Sequence, residues 1–274
     1  PGMRFINRGP LSFVALLLLL LTALWPQPGL AQAGTPTVHI PHFSGTPDPS
    51  HGAVFWFGSI NPASNTTNVR LAYNDEGLAV QFHIFDRRAV YDEAAAAASD
   101  LTQWDAVSIY LDTQGDLAAP LGGASYRFDA QMNHWQERAD YQRAWRWQNG
   151  AWQVANLSFV TETGFRGYPN DEEDDRGWLD GFFIPFASLG LSAPAQNTQW
   201  RMAVVLYDRD EVAGAPLPAQ SWPQAVALKQ PATWARISFG APVYNAPAVG
   251  ETQTVAIRHG VNGVTAPDGA VGGH

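Results

Sequence analysis

The chain has 274 residues, 16 Lys and Arg against 25 Asp and Glu for a formal charge of −9, and no cysteine. That acidic balance argues against nucleic acid or anionic lipid as partners, since both are held by basic patches. A disulfide-stapled fold is excluded, and the length allows a core large enough to need no staples.

The first 33 residues read as a signal peptide. Arg4 and Arg8 form a positive start, Leu11 to Trp25 an apolar run with six consecutive leucines (Leu16 to Leu21), and Ala31-Gln32-Ala33 a small-residue cleavage site. The run falls short of the roughly 20 residues of a membrane span, and Pro26 and Pro28 interrupt it. No cysteine is present for a lipid anchor. Cleavage after Ala33 leaves 14 basic and 25 acidic residues, a charge of −11. An exported chain without disulfides points to a bacterial secreted protein, located extracellularly.

Thr35 to Gly52, rich in Pro, Gly, Ser and His, reads as loop. Strands follow at Ala53 to Ile60, Asn68 to Tyr73 and Leu78 to Asp86, the last two joined by the turn Asn74-Asp75-Glu76-Gly77, with glycine expected at positive φ. Asp92 to Leu101, with Ala94 to Ala98 in a row, predicts a short helix or coiled excursion. From Trp104 to Asn133 the period is two. Val107, Ile109 and Leu111 share one face, as do Tyr126, Phe128, Ala130 and Met132. The opposite face of the second strand is polar throughout: Ser125, Arg127, Asp129, Gln131 and Asn133. It reads either as a solvated sheet face or, beside Trp104, as a surface for hydroxyl-rich ligands.

Asn149-Gly150, between Trp145 and Trp147 on one side and Trp152 on the other, predicts a two-residue hairpin. Further strands are expected at Gly177 to Pro185, Trp200 to Asp208 and Ala235 to Phe239. Many short strands with little helical periodicity predict an all-β, antiparallel β-sandwich over residues 34–240. Residues 241–274, with a strand-like piece at Gln253 to Arg258, read as a linker or the start of a truncated further module.

Eleven tryptophans are many for this length. The ordinary fate of a tryptophan is the core, as expected for Trp56 and Trp200, but flat rings also stack on the C–H faces of sugars. Trp104 and Trp222, in loops beside polar residues, are the candidates for that role. Oxygen donors for calcium are available at Asp86, Asp112, Asp174 and Asp208, against the plainer reading of solvated charge. His39, His42 and His51 match no zinc spacing. Met132 and His134 share a face and cannot be trans ligands of one haem, so haem would need a distant His83 or His259. No nucleophile elbow or resolved carboxylate pair supports an enzyme.

The order of these features, from Thr67 to Asp86 through Asp105 to Asp112, Tyr126-Arg127-Phe128, Gly177 to Pro185 and Trp200 to Asp210 to Ser221-Trp222 and Ala235 to Phe239, resembles the family 9 carbohydrate-binding modules and the related DOMON-like sandwiches over residues 38–240. The resemblance implies a jelly-roll-like sandwich of carbohydrate-binding-module type and a non-catalytic module for polysaccharide or oligosaccharide, stiffened by calcium. It implies that Trp104 and Trp222 clamp a sugar while Arg127 bonds its hydroxyls, with Asp129 and Gln131 beside it on the polar row. Two departures stand out: Trp104 directly precedes Asp105 where the family leaves two residues between, and Ser108 stands where the family tends to carry glutamate. The alternatives are a structural or adhesive module of a larger bacterial surface protein and a DOMON-type haem-binding electron carrier.

Overall fold

The computed structural model describes residues 35–61, 64–224 and 226–240, with 260–261 and 264–265 beyond them. The expected leader, the strand-like piece at 253–258 and His259 lie outside the described residues.

Thirteen strands form two facing sheets: β1 (Thr37–Ile40), β2 (Ala53–Asn61), β3 (Ser64–Tyr73), β4 (Gly77–Phe85), β5 (Ala106–Asp112), β6 (Ser125–Gln131), β7 (Gln142–Gln148), β8 (Ala151–Val154), β9 (Val160–Phe165), β10 (Trp178–Pro185), β11 (Gln199–Tyr207), β12 (Gln220–Trp222) and β13 (Ala235–Phe239). The larger sheet runs β1-β13-β11-β5-β6-β7-β8 with β12 also on β11, and the smaller runs β2-β3-β4-β10-β9. All these pairings are antiparallel except β1 with β13. A separate short hairpin joins β14 (Gly260–Val261) to β15 (Val264–Thr265). No helix among the described residues is long and apolar enough to cross a membrane.

The period of two sets what lies between the sheets. Val107, Ile109 and Leu111 of β5 and Phe128 of β6 meet Phe82 and Phe182 of the opposite sheet in one buried core. Asn149 and Gly150 take φ of 52° and 79°, the left-handed pair a tight hairpin needs, and β7 and β8 close around them as expected.

Several expectations need correction. Gly77 is not left-handed; it allows a close approach, since a Cβ there would sit 2.7 Å from the Ile184 carbonyl oxygen. The preceding turn is made instead by the Asn74 carboxamide oxygen, which accepts from the Glu76 and Gly77 amides. Of the two readings of Asp92 to Leu101 the coiled excursion holds: residues 92–100 carry turns and no helix, and a 3-10 turn follows at Leu101–Gln103. Trp200 is core, but Trp56 points outward and lies against Phe85. Val160–Phe165 and the short β1 and β12, absent from the sequence reading, are strands because neighbouring strands hold them in register.

The polar row of β6 is not solvated either: Ser125, Asp129 and Gln131 are buried. Around Tyr110 a second apolar layer of Trp152, Trp234, Val226 and Leu228 covers part of this outer face. Over another part, the Arg143 guanidinium donates to the Ser99 and Ala96 carbonyls and holds the 92–104 segment down.

Candidate functional site

Three carboxylates meet where strands end. Asp105 precedes β5 and Asp208 follows β11; since Ala106 pairs with Tyr207, one step beyond each strand brings the two acids together. Asp86, one residue past β4 of the other sheet, completes the group. One oxygen from each lies within 4.8 Å of the others, and all three residues are buried. Asp86 accepts from the Arg88 amide and the Trp178 indole, both at 2.9 Å. Asp105 accepts from the Val90 amide at 2.8 Å and the Arg209 amide at 2.9 Å. Asp208 Oδ1 is buried with no hydrogen-bond partner among the described residues.

Among the described residues, no cation neutralises this group. The Arg209 guanidinium turns away to the carbonyls of Gln103, Val212 and Gly214. Burial raises Asp86 to about 6 and Asp208 to about 7 and puts Asp105 well above the usual carboxylate range, with repulsion from Asp86 adding to the shift of the other two. Ionised carboxylates left unpaired in such a place cost several kcal/mol each. Buried Asp180, by contrast, has Arg138 at 2.9 Å. An oxygen-only donor set with an orphaned lone pair suits a hard divalent cation, which takes carboxylate and carbonyl ligands.

Two weak metal candidates fall elsewhere. Asp112 is buried but accepts from Ser125 at 2.8 Å and faces Arg201 at 3.4 Å, so it already has a countercharge. Asp174 lies at the surface and pairs with Arg87 at 3.2 Å.

The outer face of the larger sheet holds the other sequence candidates. Arg127 is 17 % exposed along its side chain, its guanidinium 5.5 Å from the Tyr110 ring centre and 5.4 Å from that of Trp145. Its Nε donates to Asp129 at 2.7 Å, and among the described residues nothing accepts from its two terminal nitrogens. Asp129 is fully engaged, accepting from Ser108 at 2.5 Å and the Trp145 indole at 2.6 Å as well. It fixes the arginine and the indole, and each of its oxygens already accepts a bond. Half-buried Tyr207 brings its phenol near the same guanidinium. Asp100, on the covering segment, stands close enough for Arg127 to act on it. Burial raises its pKa, but bonds from Thr102 and Gln103 together with the Arg127 charge outweigh that, and the net shift is downward.

Trp104 is half-buried, and one face of its ring is capped by Arg209 at 4.3 Å. Since Trp104 adjoins Asp105 and Arg209 adjoins Asp208, this stack is tied directly to the carboxylate group. The tryptophan clamp is not formed. Trp222 is 5 % exposed and lies face to face with Phe55 at 3.7 Å inside the core, because its register with Val204 turns it inward. Gln131 is likewise no ligand group: it is buried, bonding the Asp92 amide and the Leu101 carbonyl to hold the covering segment. Met132 is sealed in the core while His134 is exposed against Phe165, so the pair forms no haem pocket.

Sequence reading missed Asp105, Arg209, Trp145 and Asp100. Trp145 was within reach: the hairpin at Asn149-Gly150 and the alternation of Arg143, Trp145 and Trp147 set it opposite Arg127.

No protein-family model matches the sequence, and no curated protein matches it significantly. Solved structures do share the architecture. A family 9 carbohydrate-binding module from Caldicellulosiruptor kristjanssonii, solved with cellotriose, is 16 % identical with a TM-score of 0.50, over 77 % of this chain and 97 % of its own. A Bacteroides uniformis protein named for an inferred carbohydrate-binding role is 13 % identical with a TM-score of 0.55, over 75 % and 99 % respectively. The chain has a β-sandwich fold like that of the family 9 modules.

Proposed function

We propose that this chain is an exported, non-catalytic carbohydrate-binding module whose ligand surface is the outer face of β5, β6, β7 and β11. The observation that carries the reading is Arg127. Its guanidinium is pinned by Asp129 between two aromatic rings with both terminal nitrogens free, a fork ready for vicinal hydroxyls. Trp145 and Tyr207 offer ring faces beside it, and Trp104 bounds the site. Asp100 supplies the carboxylate that Ser108 does not. Binding of this kind needs no tuned acid or base.

Calcium is the cation best suited to Asp86, Asp105 and Asp208. It would neutralise them and so hold Trp104 and Arg209 at the rim. Further modules of the same native chain fit the reading.

One observation favours a structural or adhesive module instead. Trp222 is in the core and a face of Trp104 is taken by Arg209, so neither tryptophan of the expected clamp is free. Tryptophan fluorescence titrated with neutral mono- and oligosaccharides, in calcium and in chelator, decides between the two. Saturable quenching supports the sugar module; a flat response to every sugar in both conditions supports the structural one.

A further inference from the structure

The smaller sheet's outer face has no second covering layer among the described residues, yet it is not a plain solvated surface. Register aligns Val54, Arg70, Gln81, Gly181 and Glu162 in one row across β2, β3, β4, β10 and β9, and Trp56, Asn68, His83, Leu179 and Gly164 in the next. Phe85 is 58 % exposed and half-buried Trp56 stacks beside it, at 6.2 Å and 19°, forming an aromatic pair on this face. Polar groups beside it are held in place: Arg70 Nε donates to Asn68 at 2.8 Å, and His83 and Gln81 share a bond of 3.0 Å.

Along the same strands the face opens into a concavity of about 390 Å³, lined by Pro47, Pro49, Gln81, Glu162, Gly181 and Phe183 among others. Gly181 makes room for it, since a Cβ there would lie 2.7 Å from the Glu162 side chain. This volume is within the range of small-molecule sites, as is a mainly apolar lining with a few polar groups. From Phe85 to Ala79, at the cavity, is about 20 Å along β4, at about 3.4 Å per residue. Among the described residues no Lys, Arg or His lines the cavity, and Glu76 and Glu162 do, which disfavours anionic ligands.

We infer that the outer face of the smaller sheet is a second ligand site, where a neutral oligosaccharide lays ring faces along Trp56 and Phe85 and seats one end in the cavity at Gln81, Glu162 and Gly181. Rings answer the apolar C–H faces, and amide, guanidinium and carboxylate answer the hydroxyls. This site is independent of the one around Arg127. A chain with two such faces could bridge two strands of a polysaccharide.

The test is calorimetric titration of the full chain with cellohexaose, xylohexaose and mannohexaose. The double variant Arg127→Lys, Asp100→Asn is used to weaken the first face. In that background a hexaose should still bind saturably at one site per chain. Trp56→Ala, Phe85→Ala and the milder Gln81→Ala should each weaken that binding at least tenfold, with unchanged circular dichroism. The inference is overturned if no hexaose binds the double variant, if residual binding ignores all three substitutions, or if choline occupies the cavity and no hexaose does. Should Trp56→Ala remove all binding in the parent while the double variant loses none, the second site stands and the Arg127 reading fails.

Discussion

The two faces of the larger sheet come from the same strands, one residue apart, and are buried by different physics. On the inner face Val107, Ile109, Phe128 and Trp222 are held by packing alone. On the outer face Ser108, Arg127, Asp129 and Trp145 are held by hydrogen bonds and charge, with Arg127 keeping donors to spare. Alternation thus lets one sheet carry its packing on one side and the proposed ligand surface on the other. Damage to either side should separate stability from binding.

The largest effect is expected on the inner face. Trp222→Ala removes a ring stacked on Phe55 and should cost about 3–5 kcal/mol of stability, read from denaturant unfolding, while the chain that remains folded binds sugar as before. A loss of affinity without a loss of stability would move Trp222 back to the ligand.

Next comes the group at the strand ends, where the two faces are joined. At calcium 100-fold above its dissociation constant, chelation should remove about 2.7 kcal/mol, and Asp105→Asn should abolish the response. The pH dependence has a definite sign. Without calcium, Asp86 at about 6 and Asp208 at about 7 bind protons in the folded chain at pH values where the unfolded chain has released them. The stability they contribute is complete below about pH 4 and lost as pH rises through 6 and 7. Thermal melts in chelator should therefore fall between pH 5 and pH 8 through this group, and the gain from added calcium should grow over the same interval. A calcium effect larger at pH 5 than at pH 8 would argue against these carboxylates as the site.

Arg127→Lys keeps a countercharge for Asp129 but loses the planar fork. Sugar affinity should fall about tenfold, near 1.4 kcal/mol, with stability within about 1 kcal/mol. The smallest effect belongs to Asp174→Asn, at the surface with Arg87: stability should stay within about 0.5 kcal/mol, with calcium affinity unchanged by titration.

The alternation of β5 and β6 and the turn at Asn149-Gly150 were legible because they are local. The sites were less so. Whether Trp222 faced a ligand or the core depended on its pairing with Val204 of β11, which its own neighbours do not reveal. Asp86 and Asp208 were recognisable as acids at strand ends, but Asp105 joins them only through the pairing of Ala106 with Tyr207. Gln131 looked like a ligand group from its place in a polar row; the segment folded over it was visible only in three dimensions. Asp174, named among the oxygen donors from its sequence alone, lies instead beside Arg87 and Arg88, while its neighbour Asp175 accepts from the Ala89 and Tyr168 amides.

The most direct measurement is calorimetric titration of the parent chain and Arg127→Lys, side by side in calcium, with the oligosaccharide that quenches fluorescence most strongly. Saturable binding by the parent, weakened about tenfold in Arg127→Lys with melting temperature preserved, is the predicted result. Equal binding by both chains, or none by either, would contradict the account.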